Sequence, residues 1–152
     1  MTPRAVFCYT ENMPPDLIPF EEFEHAADLG LRARGRTMEE LFANAARGML
    51  DFMGSGNGTL GGEEAVIETE GLDPEHLLVR WLSEILYLFR EGKKASGFLF
   101  DSIGKTSLKA RCRLANLPGD FVPKREIKLV THHGVKIETV KGMYRAEVVF
   151  DV

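Results

Sequence analysis

The sequence is poor in the residues and segments that mark several large classes of protein. Its 152 residues include two cysteines, Cys8 and Cys112, too few for a disulfide framework and without metal-ligand spacing. No apolar run approaches the roughly 20 residues that a membrane-spanning helix needs. The first twenty residues lack the apolar segment and cleavage site of a secretion signal. We therefore expect a cytoplasmic protein without membrane contact, in which Cys112 is a small core residue.

The remaining composition is typical of one folded domain. Hydrophobic residues make up 44% and charged residues 28% of the chain, which are globular values. Residues 1–76 contain 5 Lys/Arg and 15 Asp/Glu, whereas residues 77–152 contain 14 and 8. This imbalance indicates an acidic and a basic pole, or else a well-solvated surface of mixed charge. Residues 1–17 carry three prolines and predict an irregular leader, so a single domain is expected over residues 18–152.

Two segments predict helices through their start signals and apolar spacing. Thr37 precedes Glu40 by three residues, which is a capping box, and apolar residues follow at helical spacing to Met53. Asp73 and Pro74 are an N-cap residue and a first-turn proline, and a second apolar stripe follows them. The sequence therefore predicts helices near 37–53 and 74–91.

The rest of the chain predicts strands. Period-two alternation or β-rich composition occurs at 19–25, 29–34, 65–70, 97–103, 107–114, 126–133, 135–140 and 143–152. Runs of strands beside two helices indicate an α+β fold with two layers, a mostly antiparallel sheet with both helices packed on one face. The segment GKTS at 104–107 is similar to part of a phosphate-binding loop, but Leu99 stands where that motif needs glycine and strands flank the turn.

A group of acidic residues forms a candidate site. Asp151 has the parity of the polar residues in the last strand, so its carboxylate should face away from the apolar row. The α-carboxylate of Val152 follows within a few ångströms along the backbone. If the sheet brings Asp28 alongside, three hard oxygen donors converge, which suits Ca²⁺, Mg²⁺ or Mn²⁺ better than Zn²⁺. The alternative is that Asp28 is an ordinary turn or cap residue.

Two other groups of residues are weaker candidates. His132 and His133 adjoin in a predicted strand, so their side chains should point to opposite faces and cannot chelate together. Lys109, Arg111 and Arg113 line one face of a predicted strand, which is a pattern that can bind RNA phosphates. No aromatic residues interleave with them for base stacking, and this favours a solvated face.

Four segments of the chain resemble the archease family in the family's order. They are FEEFEHAADLGLRARGRTMEELFANAARGMLDFM, LLVRWLSEILYLF, EIKLVTHHGVKI and AEVVFDV. The family pattern is H-[TS]-A-D near the start and an acidic-aliphatic pair at the end. The corresponding residues here are His25-Ala26-Ala27-Asp28 and Asp151-Val152. The resemblance extends from about Pro19 to Val152, which is nearly the whole chain.

The resemblance includes two departures from the family pattern. Ala26 stands where the family has a residue with a hydroxyl group, and His132 stands where it usually has tyrosine. Lys128 retains the lysine of the same segment. The aspartate that the family uses for metal is also retained, as Asp28.

The resemblance implies an archease fold and an accessory protein without catalytic residues of its own. Archeases assist the RtcB-type RNA ligase in tRNA splicing and RNA repair, promoting the ligase–guanylate intermediate and multiple turnover. Any contact with RNA would be indirect or made through the complex with the ligase. A divalent cation, usually calcium, would be held by Asp28, Asp151 and Val152, with Mg²⁺ or Mn²⁺ as alternatives. We expect His25 to orient the loop before Asp28, and Lys128 to reach phosphate or a ligase carboxylate.

Two other functions stay open at this point. A metal-dependent hydrolase would use Asp28, Asp151, His25 and one of His132 or His133, although no H-E-x-x-H, H-x-H or C-x-x-C spacing occurs. A chaperone-like binding module is suggested by the six methionines, whose side chains adapt to varied partners. Four of these methionines already have structural places in the predicted fold.

Overall fold

The fold is given by a computed structural model, which describes residues 17–25, 28–54 and 59–152. These residues form ten elements: β1 (Phe20–His25), β2 (Asp28–Gly35), α1 (Met38–Met53), β3 (Thr59–Glu70), α2 (Pro74–Arg90), β4 (Lys93–Ile103), β5 (Ser107–Asn116), β6 (Leu129–Val130), β7 (Lys136–Val140) and β8 (Met143–Asp151). The predicted leader, Cys8 included, lies almost entirely outside the described residues.

Both predicted helices are confirmed, and both begin at the expected caps. The Thr37 side chain accepts a hydrogen bond from the Glu40 N–H at 3.1 Å, and the Asp73 carboxylate accepts one from the His76 N–H at 2.7 Å. Each bond satisfies a backbone donor that the first turn of a helix leaves without a partner. In the described part of the chain, neither helix is long and apolar enough to cross a membrane.

The α+β class is confirmed, but the strands form two sheets where the sequence predicted one. Sheet A has the order β1-β2-β8-β6, with β7 also paired to β8, and sheet B has the order β3-β5-β4. Every pairing is antiparallel. Each helix contacts strands of both sheets, so the helical layer supplies a core that the two sheets share.

Trp81 of α2 lies at the centre of this core. Its side chain is fully buried, and its indole N–H donates to the Phe42 carbonyl oxygen of α1 at 2.9 Å. The ring packs against Phe98 and Phe100 of β4, with centroids 5.8 and 5.2 Å away. Because a buried indole N–H needs an acceptor, this bond fixes how α2 lies against α1.

Cys112 of β5 is a core residue, as predicted. It is 0% exposed, and burial, with a smaller contribution from the charge of Glu64, raises the pKa of its thiol to about 12. The GKTS segment forms the turn between β4 and β5, where the Gly104 N–H donates to the Ser107 carbonyl oxygen at 2.8 Å. This turn confirms that the segment is not a phosphate-binding loop.

The predicted strand at 126–133 is wrong except for Leu129–Val130. One edge of β8 has to serve two partners, because β7 pairs with Met143–Glu147 and β6 pairs with Phe150 and Asp151. The chain between β6 and β7 must therefore turn, and it does so at His133 and Gly134, where Gly134 has a φ of +68°. His132 and His133 are in this turn region, so strand alternation does not govern their side chains.

Candidate metal centre

The outer face of sheet A brings the two predicted carboxylates onto neighbouring strands. Leu29 of β2 pairs with Phe150 of β8, and we infer that one further step of the same register would set Asp28 opposite Asp151. Directly opposed residues in an antiparallel pair share a face, with Cβ atoms about 4.5–5.5 Å apart. Leu29 and Phe150 are buried at 7% and 0% exposure, so the carboxylates belong to the outer face.

The neighbouring strands extend this pair into a row of four residues, which we name the acidic row after its two aspartates. Its members are His25, Asp28, Asp151 and Leu129. His25 of β1 pairs with Asp28, and Leu129 of β6 pairs with Asp151. The Lys128 N–H donates to the Asp151 main-chain oxygen at 2.7 Å, which closes this end of β8. The sequence pattern missed Leu129 because it did not reveal that β6 borders β8.

The acidic row is accessible to a solvated ion. Asp28 is exposed and Asp151 is half-buried, while Val152 is 44% exposed. The Lys128 residue is also exposed. Carboxylates in contact with water are not destabilised by burial before the cation arrives.

The donor set of the row fits a hard divalent cation. Within the described ranges, no three His, Cys, Asp or Glu side chains are grouped as a metal site requires. The predicted site would therefore rely on two side-chain carboxylates, those of Asp28 and Asp151, and on the main-chain carboxylate of Val152 as a third donor. Oxygen donors favour Ca²⁺, Mg²⁺ or Mn²⁺, and these ions complete their coordination with water or with ligand oxygens.

A second row on the same face, which we call the ion ladder, alternates negative and positive side chains across four strands. Arg32 of β2 lies between Glu21 of β1, at 3.0 Å from Nη1, and Glu147 of β8, at 2.8 Å from Nε. Lys136 of β7 adds a contact of 3.1 Å to Glu147. The ladder starts four residues along β2 from Asp28, roughly 13 Å away at a strand rise of about 3.3 Å per residue.

Hydrogen bonds keep the acids of the ion ladder charged. Partial burial of Glu147 opposes ionisation, but hydrogen bonds from Arg32 and Lys136 outweigh it and lower the pKa of Glu147. Burial likewise opposes ionisation of Glu21, and hydrogen bonds from Arg32 and Arg34 outweigh it and lower its pKa. Strand alternation in the sequence is enough to predict that Arg32 and Glu147 face outward. It does not reveal that β2 and β8 are neighbours in the sheet.

The structure describes the side chains of three of the four histidines. The side chain of His25 lies outside what the structure describes, so its orienting role stays a prediction. His132 and His133 are both exposed, and the His132 ring lies 5.2 Å from that of His76. His76 Nδ1 accepts the Leu72 N–H at 2.9 Å, so the neutral ring carries its proton on Nε2 and offers no lone pair to a metal.

The basic face of β5 is largely neutralised by acidic neighbours. Lys109 lies 3.4 Å from Glu68 of β3, and Arg111 lies 3.1 Å from Asp101 of β4. Glu63 and Glu22 likewise pair with basic residues from the second half of the sequence. The acidic and basic halves of the chain therefore interleave in space, and the solvated-surface interpretation accounts for their charges better than two poles do.

Comparison with known proteins identifies relatives over nearly the whole chain. The model of the Archease protein family (MTH1598/TM1083) matches residues 20–152. The protein archease of Methanosarcina mazei is 34% identical over 146 residues, covering 92% of this chain and 100% of that protein. The protein archease of Pyrococcus furiosus is also 34% identical, covering 88% of this chain and 98% of that protein.

Solved structures agree with these sequence matches. The solution structure of Methanobacterium thermoautotrophicum protein 1598 is similar, with a TM-score of 0.73, 28% identity, and coverage of 88% of this chain and 99% of that one. A crystal structure of an archease from Thermotoga maritima, described as a possible chaperone, has a TM-score of 0.60 and 22% identity. It covers 87% of this chain and 96% of its own, and at that identity it supports the fold alone.

Proposed function

Because the chain belongs to the archease family, we propose that it is a metal-binding accessory protein that activates an RtcB-type RNA ligase in tRNA splicing and RNA repair. In this role it is a partner protein and carries out no reaction itself. It promotes guanylylation of the ligase and so supports multiple turnover. The acidic row is the part of the chain that we assign to this task.

The observation that carries the proposal is the β2–β8 register, whose pair of Leu29 with Phe150 lies one residue from Asp28 and Asp151 on the two strands. Two carboxylates on one face of neighbouring strands repel each other, and a bound divalent cation would turn that repulsion into attraction. This gain on binding, together with the family membership of the chain, supports the proposal.

The residues of the chain have distinct parts in the proposed activity. Asp28, Asp151 and the Val152 carboxylate would hold the cation, for which Ca²⁺ is the first candidate. When bound, such an ion neutralises charge that develops on triphosphate oxygens during guanylylation. Lys128 would contact a phosphate or a carboxylate of the ligase, because its exposed ammonium is a mobile point charge.

The test is multiple-turnover RNA ligation by the cognate ligase, with Ca²⁺ affinity measured in parallel by calorimetry. Asp28→Asn and Asp151→Asn should each lower the affinity at least tenfold, the lower limit seen even for residues that only support metal ligands. Each should also remove most of the stimulation. The double variant should be little worse than either single one, because both carboxylates serve one ion.

The matched control is Glu70→Gln, which removes one exposed carboxylate from β3 of sheet B, whereas the acidic row lies in sheet A. It should leave both affinity and stimulation at the wild-type level. Lys128→Ala should weaken stimulation while Ca²⁺ still binds. If the double variant at Asp28 and Asp151 still stimulated ligation fully, the shared-ion mechanism would be wrong. If the wild-type protein hydrolysed phosphate esters without a ligase, the hydrolase alternative would replace the proposal.

A further inference from the structure

Arg90, the last residue of α2, contacts the main chain of a segment that is distant in sequence, and no sequence pattern predicted this contact. Its Nη2 donates to the carbonyl oxygens of both Ile127 and Lys128, at 2.9 Å for Ile127. Lys128 in turn donates its N–H to the Asp151 oxygen at 2.7 Å. A single guanidinium therefore connects the end of α2 to the main chain that borders the acidic row.

The segment that Arg90 holds has little other regular structure. Residues 117–128 contain no helix or strand, and β6 consists of Leu129 and Val130 only. A two-residue strand offers few ladder hydrogen bonds to fix its own position. Hydrogen bonds from a charged donor are roughly twice as strong as those between neutral groups. The bonds from Arg90 therefore add to the other restraints on this backbone, which include the burial of Ile127 at 2% exposure and the hydrogen bond from the Lys124 N–H to the Met53 carbonyl oxygen.

The helix end is a rigid support for that restraint. α2 is anchored in the core by Trp81, which is fully buried and bonded to α1. A cation in the last turn of a helix is also favoured by the partial negative charge of the helix C-terminus. Arg90 is the basic residue of that last turn, so the helix end favours its positive charge at the position from which it donates to the two carbonyl groups.

We propose that Arg90 is a positioning residue for the candidate metal centre. It fixes the main chain of Ile127 and Lys128, and through the Lys128–Asp151 hydrogen bond it sets the position of both the Lys128 side chain and the end of β8. Its functional consequence rests on the proposed function, whereas its effect on the backbone does not. A role in stability alone would leave the properties of the acidic row unchanged in a folded variant.

The test compares Arg90→Ala and Arg90→Lys with a control, Arg80→Ala, which removes an exposed arginine of the same helix. Amide hydrogen exchange, read by NMR, should be at least tenfold faster for Lys128 in Arg90→Ala, with amides of the α2 core unchanged. Ca²⁺ affinity should fall by about tenfold, the size expected when a residue that supports metal ligands is lost. Arg90→Lys should recover most of both properties, because an ammonium can also donate to two carbonyl groups.

The outcomes separate this inference from the proposed function. Faster Lys128 exchange with weaker Ca²⁺ binding in Arg90→Ala, and recovery in Arg90→Lys, supports the positioning role. Unchanged Lys128 exchange, or unchanged Ca²⁺ affinity despite faster exchange, overturns it. If the wild-type protein binds no divalent ion, the proposed function fails, and the exchange of Lys128 still decides whether Arg90 holds this backbone.

Discussion

Replacement of Gly30 by alanine should destabilise the β1–β2 hairpin that leads into the acidic row. A Cβ at this position would lie 2.7 Å from the Phe23 carbonyl oxygen and 2.7 Å from Cζ of the Phe23 ring. The ring is held in place by Arg32, whose Cζ lies 5.0 Å from the ring centroid. Because the carbonyl oxygen belongs to the backbone, a rotation of the Phe23 side chain cannot relieve both contacts, and β1 must shift.

The size of the effect follows from two opposing contributions. Overpacking of this kind costs about 1–3 kcal/mol, whereas replacing a strand glycine by alanine gains about 0.5–1 kcal/mol in backbone entropy. The steric cost is larger, so the free energy of unfolding should fall by about 1–2 kcal/mol. For a domain of this size, the corresponding fall in Tm is about 2–8 °C.

Gly97→Ala is the matched control, because Gly97 also lies in an antiparallel strand, β4. Its Cβ would meet Arg113 side-chain carbons at 3.8–3.9 Å, which is ordinary contact. This variant should be neutral or more stable by up to about 1 kcal/mol. Thermal and urea unfolding measure both variants. If Gly30→Ala were as stable as Gly97→Ala, the steric reasoning would be refuted. Phe23→Leu in the Gly30→Ala background should restore only part of the loss, since the carbonyl contact persists.

Two further predictions concern titratable groups. Glu147→Gln should lower the free energy of unfolding at pH 7 by about 1–2 kcal/mol. Because Glu147 has a lowered pKa in the folded state, its contribution is present above the unfolded pKa of about 4.3 and is lost as the pH falls through the folded pKa. The variant should therefore lose less stability than the wild type between pH 7 and pH 3 in urea titrations, and an equal loss would contradict the ion ladder. Cys112, whose thiol pKa is about 12 and which is fully buried, should resist iodoacetamide at pH 8 in the native protein and react in denaturant, as peptide mass spectrometry can measure. Equal labelling in both states would exclude the buried position.

The helices were predictable because the signals that start them are local. Thr37 and Glu40, or Asp73 and Pro74, lie within one helical turn, so their geometry does not depend on the rest of the fold. The two-residue length of β6 was not predictable in this way. It depends on β7 occupying the neighbouring part of β8, which is a competition between segments that are distant in sequence.

The candidate site was predictable only in part for the same reason. The parity of Asp151 in the last strand follows from alternation with Phe150, and the structure agrees with it. That β2 is the strand beside it required the resemblance, because alternation carries no information about which strands are neighbours. The contacts of Arg90 with the Ile127 and Lys128 carbonyl groups had no sequence signal, since main-chain acceptors exist at every position.

The central location of β8 in sheet A has a consequence for the order of folding. Arg32 and Glu147 are 115 residues apart in sequence, whereas β4 and β5 are joined by a tight turn. Loop-closure entropy grows with the length of chain enclosed, and contacts between distant residues slow folding. The β4–β5 hairpin and the β7–β8 hairpin, in which Val140 pairs with Met143, should therefore form early, and the pairing of β8 with β2 should come late. Asp28 and Asp151 come together only at that step, so binding of the proposed cation during refolding would report the pairing of β2 with β8.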